Sequence, residues 1–178
     1  MSSDTDAAKA AERMLAVAAE AEPQLSRSDP RAWTDRLEAE HEGLRAVFSW
    51  FIDHGDGEKA LQLAADLWLF QEERGHAEEA RAWLTKALAA PGAEPRSVTR
   101  ARALYGAGIL AFRNLDEDSA RQAFEECLAI AREQDYVRLI VRATTASYGW
   151  DGWPSRNEIR RVPRRCLRRP GPSSMPQA

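Results

Sequence analysis

The sequence predicts an all-α protein assembled from stacked helix pairs, and three observations predict it. Two stretches superimpose at a fixed offset of forty residues: Ala80 falls on Ala120, Leu84 on Phe124, Ala87 on Cys127 and Leu88 on Leu128. Apolar residues recur at three- and four-residue steps along most of residues 6–148. No alternation of apolar and polar residues of the kind a strand needs persists anywhere. A supersecondary unit repeated at a period of about 20–50 residues marks a solenoid, whose units bury a core only by stacking.

The elements follow in order. Residues 6–21 are rich in Ala, Glu and Lys, good helix formers, with Met14, Leu15 and Ala18 as a thin apolar stripe. Pro23 is expected to end this helix, and residues 1–5 to precede it as a disordered start. Ser28-Asp29-Pro30 is a start signal, a cap residue with proline at the first helical position. One long helix follows, carrying Trp33, Leu37, Leu44, Val47, Phe48, Phe51 and Ile52, and closes at Gly55-Asp56-Gly57. The first repeat has helix A over 58–74, ended by Gly75, and helix B over 77–90, stopped by the Pro/Gly-containing break 91–95. The second starts with Ser97 as cap, runs to about 114, and after the Asp116 turn continues as helix B over 117–133. A third helix A begins near Tyr136 and is readable to about 148.

Gly108, Ala111 and Ala120 followed by Phe124 resemble the tetratricopeptide pattern, in which small residues let the two helices of a repeat approach closely. In the first copy Leu67-Trp68 replaces the leucine–glycine pair of that pattern, while Gly75, Ala80 and Ala87 fit it. The break at 91–95 accounts for the excess of the forty-residue spacing over the ideal of about 34. More specifically, AEAEP (19–23), AWTDRLEAEHEGLRAVFSWFIDHGD (32–56) and ALQLAADLWLFQEERGHAEEARAWLTKAL (60–88) stand in a recognisable order. They resemble the helical region behind the nucleotide-binding domain of large ATP-dependent transcriptional regulators, including LuxR-type and related signalling ATPases. The likeness covers about residues 7–145. It implies a TPR-like right-handed superhelical solenoid over 6–148, serving as the sensor or regulatory part of such a regulator. In that register helix A of each repeat lines a concave groove. Gln62, Ala65, Leu69 and Glu72 would come from the first repeat, and Arg102, Tyr105, Ile109, Phe112 and Arg113 from the second. This lining suits an extended or helical peptide held by a few apolar anchors. Ile109 and Phe112 packing simply against the next helix is the alternative.

Composition narrows the functional classes. At 44% hydrophobic and 30% charged residues the chain is too apolar for disorder, and no apolar run approaches the roughly 18 residues of a membrane span. The N-terminus lacks a secretion signal, and Cys127 and Cys166 give no disulfide framework, so a cytoplasmic protein is expected. No phosphate-cradling glycine loop or basic recognition helix is present, so neither ATP hydrolysis nor base-specific DNA binding is implied.

Catalytic residues, cofactors and metals are not expected. Cys127 reads as a buried inert thiol. Glu38-x-x-His41 and Glu73-x-x-His76 have the spacing of di-metal bundles, but the second pair straddles Gly75, and both histidines read as solvated surface residues. Residues 149–178 carry seven arginines against Asp151 and Glu158, a balance of +5 that leaves −8 for residues 1–148 of the overall −3. This basic, Pro-rich tail reads as disordered, or as the product of a shifted reading frame, with nucleic-acid binding as its functional alternative. The expected function is a protein- or peptide-binding module. A small-effector sensor and a truncated gene remnant are the alternatives, and the open apolar face predicts self-association.

Overall fold

The computed structural model describes residues 2–26 and 29–146, which form eight helices and, among the described residues, no strand. Helix α1 (Ser2–Leu25) buries Ala11, Leu15, Ala18, Ala21 and Leu25, a single stripe at helical steps. It begins at Ser2 and passes through Pro23, where a stop was expected. Proline here removes one N–H bond in the last turn, and Ala19, whose carbonyl loses that donor, is exposed to water.

The long helix expected next is two helices, α2 (Arg31–Ala39) and α3 (His41–Asp53), parted at Glu40 with φ −101° and ψ 6°. Pro30 precedes the first helical residue instead of occupying that position, and its carbonyl accepts from the Trp33 and Thr34 amides. No glycine or proline marks the break at Glu40. Tertiary packing sets it, with α2 lying on α1 and His41 buried edge-on against Phe70.

The remaining helices are α4 (Gly57–Glu73), α5 (Ala77–Leu88), α6 (Val98–Arg113), α7 (Glu117–Glu133) and α8 (Val137–Ala146). Ser97 caps α6, its hydroxyl accepting from the Arg100 amide at 3.1 Å, and Asp116 caps α7 through the Ser119 amide at 3.2 Å. Hydrogen bonding from the Ser119 side chain, and then from its amide, holds the Asp116 carboxyl below its ordinary range.

Helices α3, α4, α6 and α7 all end in the same way. Gly55, Gly75, Leu115 and Asp135 take left-handed φ of 73°, 85°, 61° and 54°. The next amide in each case bonds the carbonyl five residues back: Asp56 to Phe51, His76 to Gln71, Asp116 to Ala111 and Tyr136 to Ala131, at 2.6–3.0 Å. This double-bonded helix end satisfies carbonyls that would otherwise be orphaned and reverses the chain into the next helix. The repetition is therefore one of turn geometry as well as of apolar spacing.

Helix α4 packs on α1 and α6, and α6 packs on α8; α3, α5 and α7 lie against them as the alternate members of the chain order. Of the superimposed positions, Ala80, Leu84, Ala87, Ala120, Phe124, Cys127 and Leu128 are buried and Leu88 is half-buried. One apolar core extends from α1 to α6 and a second from α6 to α8, with Leu88, Tyr105 and Ile109 bridging them. Close approach at α6 depends on missing side chains. A Cβ on Gly106 would lie 2.8 Å from the Trp68 ring, and one on Gly108 would lie 2.8 Å from the Phe124 ring. The loop after α5 is held by Arg100, whose guanidinium donates to the Leu88 and Ala93 carbonyls and pairs with Glu126 at 2.9 Å.

Leu115 is 88% exposed, so its side chain contributes little packing while its backbone bears the left-handed penalty of about 1–2 kcal/mol. Leu115→Gly is expected to stabilise the protein by about 1 kcal/mol, a rise in Tm of about 2–4 °C. Differential scanning calorimetry checks this, and an unchanged or lower Tm would contradict the strain assigned to this turn.

Candidate functional site

The face shared by α4 and α6, flanked by α1 and α8, gathers the residues predicted to line a groove. Leu69, Tyr105 and Ile109 are half-buried and Phe112 is 43% exposed. Tyr105 sits between the rings of Trp68 and Phe124, at 6.1 and 6.0 Å, with the Arg142 guanidinium 4.8 Å above it. At the end of α6, Glu72 and Arg113 form an ion pair across the two helices. These apolar side chains and the Glu72–Arg113 ion pair therefore share one surface.

The other end of the face is internally committed. Arg102 donates to Asp66 at 2.6 Å and pairs with Glu22 of α1 at 3.3 Å; Gln62 also hydrogen-bonds Asp66. Asp66 is only 2% exposed and its Oδ2 has no hydrogen-bond partner. Burial pushes its carboxyl above the ordinary range, opposed by the Arg102 charge, while Glu22 adds to the rise. The same two carboxylates hold the Arg102 guanidinium protonated against the burial that opposes it. Arg102 thus neutralises a buried acid that Gln62 also hydrogen-bonds, so part of the expected groove is a structural network. Sequence reasoning passed over Asp66, Glu22 and Arg142. The signal was present for the first: Asp66 is a single charge inside the apolar run 63–70.

A recess of about 20 Å³ opens among Glu22, Leu25, Asp66, Leu69 and Arg142. It has room for one water and none for a metabolite. A wider cleft of about 150 Å³ lies between α5, α6 and α7 beside Arg81, Ala107 and Asp116.

Cys127 is fully buried and its thiol is pushed up to about 12, first by burial and then by the Glu126 charge, so it is inert as a nucleophile. The histidines depart from expectation. His41 is 6% exposed rather than solvated, and His76 is half-buried beside it, their rings 4.3 Å apart. The Glu-x-x-His pairs also do not act within one helix. His76 Nε2, just before α5, meets Glu38 Oε1 of α2 at 3.2 Å, and His41 Nε2 of α3 meets Glu79 Oε2 of α5 at 2.9 Å. The basic stretch 149–178, with Cys166, lies outside the described residues.

Compared with protein-family models, curated proteins and solved structures, the chain has no significant match to any of the three.

Arg102→Leu leaves Asp66 buried beside Glu22 without its ion-pair partner, an expected loss of about 3 kcal/mol at pH 7. Because the folded-state pKa of Asp66 lies above its unfolded value, the penalty exists above that pKa and is relieved as pH falls through it. The difference from wild type should therefore shrink between pH 7 and about pH 4. Urea unfolding at the two pH values checks this. An equal difference at both would remove the buried-acid account.

Proposed function

We propose that the chain is a protein-interaction module, a TPR-like helix-pair solenoid that takes a peptide along the α4–α6 face and serves a transcriptional or signalling regulator. The observation that carries the reading is the stripe Leu69, Tyr105, Ile109 and Phe112. It grows more exposed toward Phe112 and ends beside the Glu72–Arg113 ion pair. Half-buried aromatic and aliphatic anchors with a charged rim are the arrangement on which peptide affinity concentrates. The repeated turn geometry supports the solenoid, since each helix pair is delivered to the next by the same left-handed reversal.

Neither of these two recesses suits the small-effector alternative. Both are smaller than the roughly 300–1,000 Å³ that encloses a drug-sized ligand. The ligand class favoured is an extended or helical peptide with an apolar anchor for the Tyr105–Phe112 end and charge of either sign for Glu72 and Arg113.

Tyr105 packs against Trp68 and Phe124, so its truncation would lower stability and binding together. Phe112 is the cleaner probe. Peptides selected from a random phage library on the wild-type protein should lose at least tenfold in affinity for Phe112→Asp, measured at a temperature where the variant is folded. Failure to enrich any peptide, or equal binding by the variant, would remove the groove.

A further inference from the structure

We propose that Glu38, His41 and His76 together bind one divalent transition-metal ion, zinc being the closest chemical fit. The site lies where α2, α3 and the turn into α5 meet, away from the α4–α6 face, and the inference is independent of the peptide-binding reading. One ligand atom from each of the three residues lies within 4.8 Å of the other two. Zinc bonds to imidazole nitrogen and carboxylate oxygen at about 2.0–2.2 Å, so its ligand atoms stand about 2.9–3.5 Å apart. The 3.2 Å between His76 Nε2 and Glu38 Oε1 is already such an edge. Closing the third ligand onto the ion needs side-chain adjustment alone, because Glu38 and His76 are not fully buried.

Two further features support the site. His41 is more than nine-tenths buried, and its Nε2 has no aligned hydrogen bond although Glu79 Oε2 stands 2.9 Å away. A buried ring nitrogen in that state is destabilising unless something partners it, and an ion beside His76 and Glu38 would do so. Glu79 is fixed in place by Arg45, through Nε at 2.6 Å and Nη2 at 3.2 Å, and so sets a second negative charge against the site. That charge offsets part of the ion's own. Two imidazoles with one carboxylate leave further coordination positions for water, and the neutral nitrogens favour zinc, cobalt(II) or nickel(II) over magnesium or calcium.

The full chain, stripped with EDTA and passed into buffer, tests this by titration with cobalt(II) and with zinc. Cobalt is followed by its visible d–d absorption and zinc by the rise in Tm. The expected result is one ion per chain, with a Tm that climbs with zinc concentration as binding to the folded state requires. Glu38→Gln and His76→Asn change groups that are not fully buried. Both should leave the Tm in EDTA close to wild type while weakening cobalt affinity at least tenfold. His41→Ala should abolish binding; should it not fold, the other two variants decide the matter. No cobalt absorption and no zinc-dependent Tm in the wild type would overturn the site. Binding that survives both Glu38→Gln and His76→Asn would place the ion elsewhere on the chain and overturn it equally.

Discussion

Helix α6 belongs to both halves of the core, and it can do so only because two of its positions lack a side chain. Gly106 lets Trp68 of α4 lie against the helix backbone on one side, and Gly108 lets Phe124 of α7 do so on another. A helix in the interior of a stack must meet partners on both flanks, and each contact needs an interaxial distance that large side chains prevent. The rings fill the space the glycines leave. Without them α4 and α7 would stand off from α6, and the two cores would separate along the Leu88–Tyr105–Ile109 seam.

The order of helices from α4 onward was legible because each signal is local. Ser97, Asp116 and Gly75 stand where the chain caps or ends a helix, and the boundaries fall within a residue or two of those expected. The break at Glu40 was not legible. The apolar period runs through it without a shift, and its cause lies in residues distant in sequence, including Phe70. Leu115 and Asp135 were missed as left-handed residues for a related reason. The turn that glycine makes at 55 and 75 is made there by residues without glycine's freedom, imposed by the helix pair on either side. Pro23 shows the converse, a strong local stop overridden near a solvent-facing helix end.

The α4–α6 face divides along the same line. Leu69, Tyr105, Ile109 and Phe112 were readable because helical spacing puts them on one face. Whether Arg102 was available to a partner could not be read, since its engagement with Asp66 and Glu22 joins three helices. The histidine cluster lay furthest from view. Within each helix the Glu-x-x-His spacing suggested one pairing, and the fold produces the crossed one, Glu38 with His76 and Glu79 with His41. Chemistry that assembles from separate elements leaves only its residue types in the sequence.

The most direct measurement is the change in unfolding free energy of Gly108→Ala, from urea denaturation followed by both far-UV circular dichroism and tryptophan fluorescence. Helix propensity alone predicts a gain of about 1 kcal/mol for this replacement. Close packing of Phe124 on α6 predicts the opposite sign, because the new methyl carbon would stand 2.8 Å from a buried ring, and overpacking of that kind costs about 1–3 kcal/mol. A less stable variant is the result expected of a stack whose neighbours rest on the α6 backbone. A more stable one would mean that α6 and α7 do not approach as described.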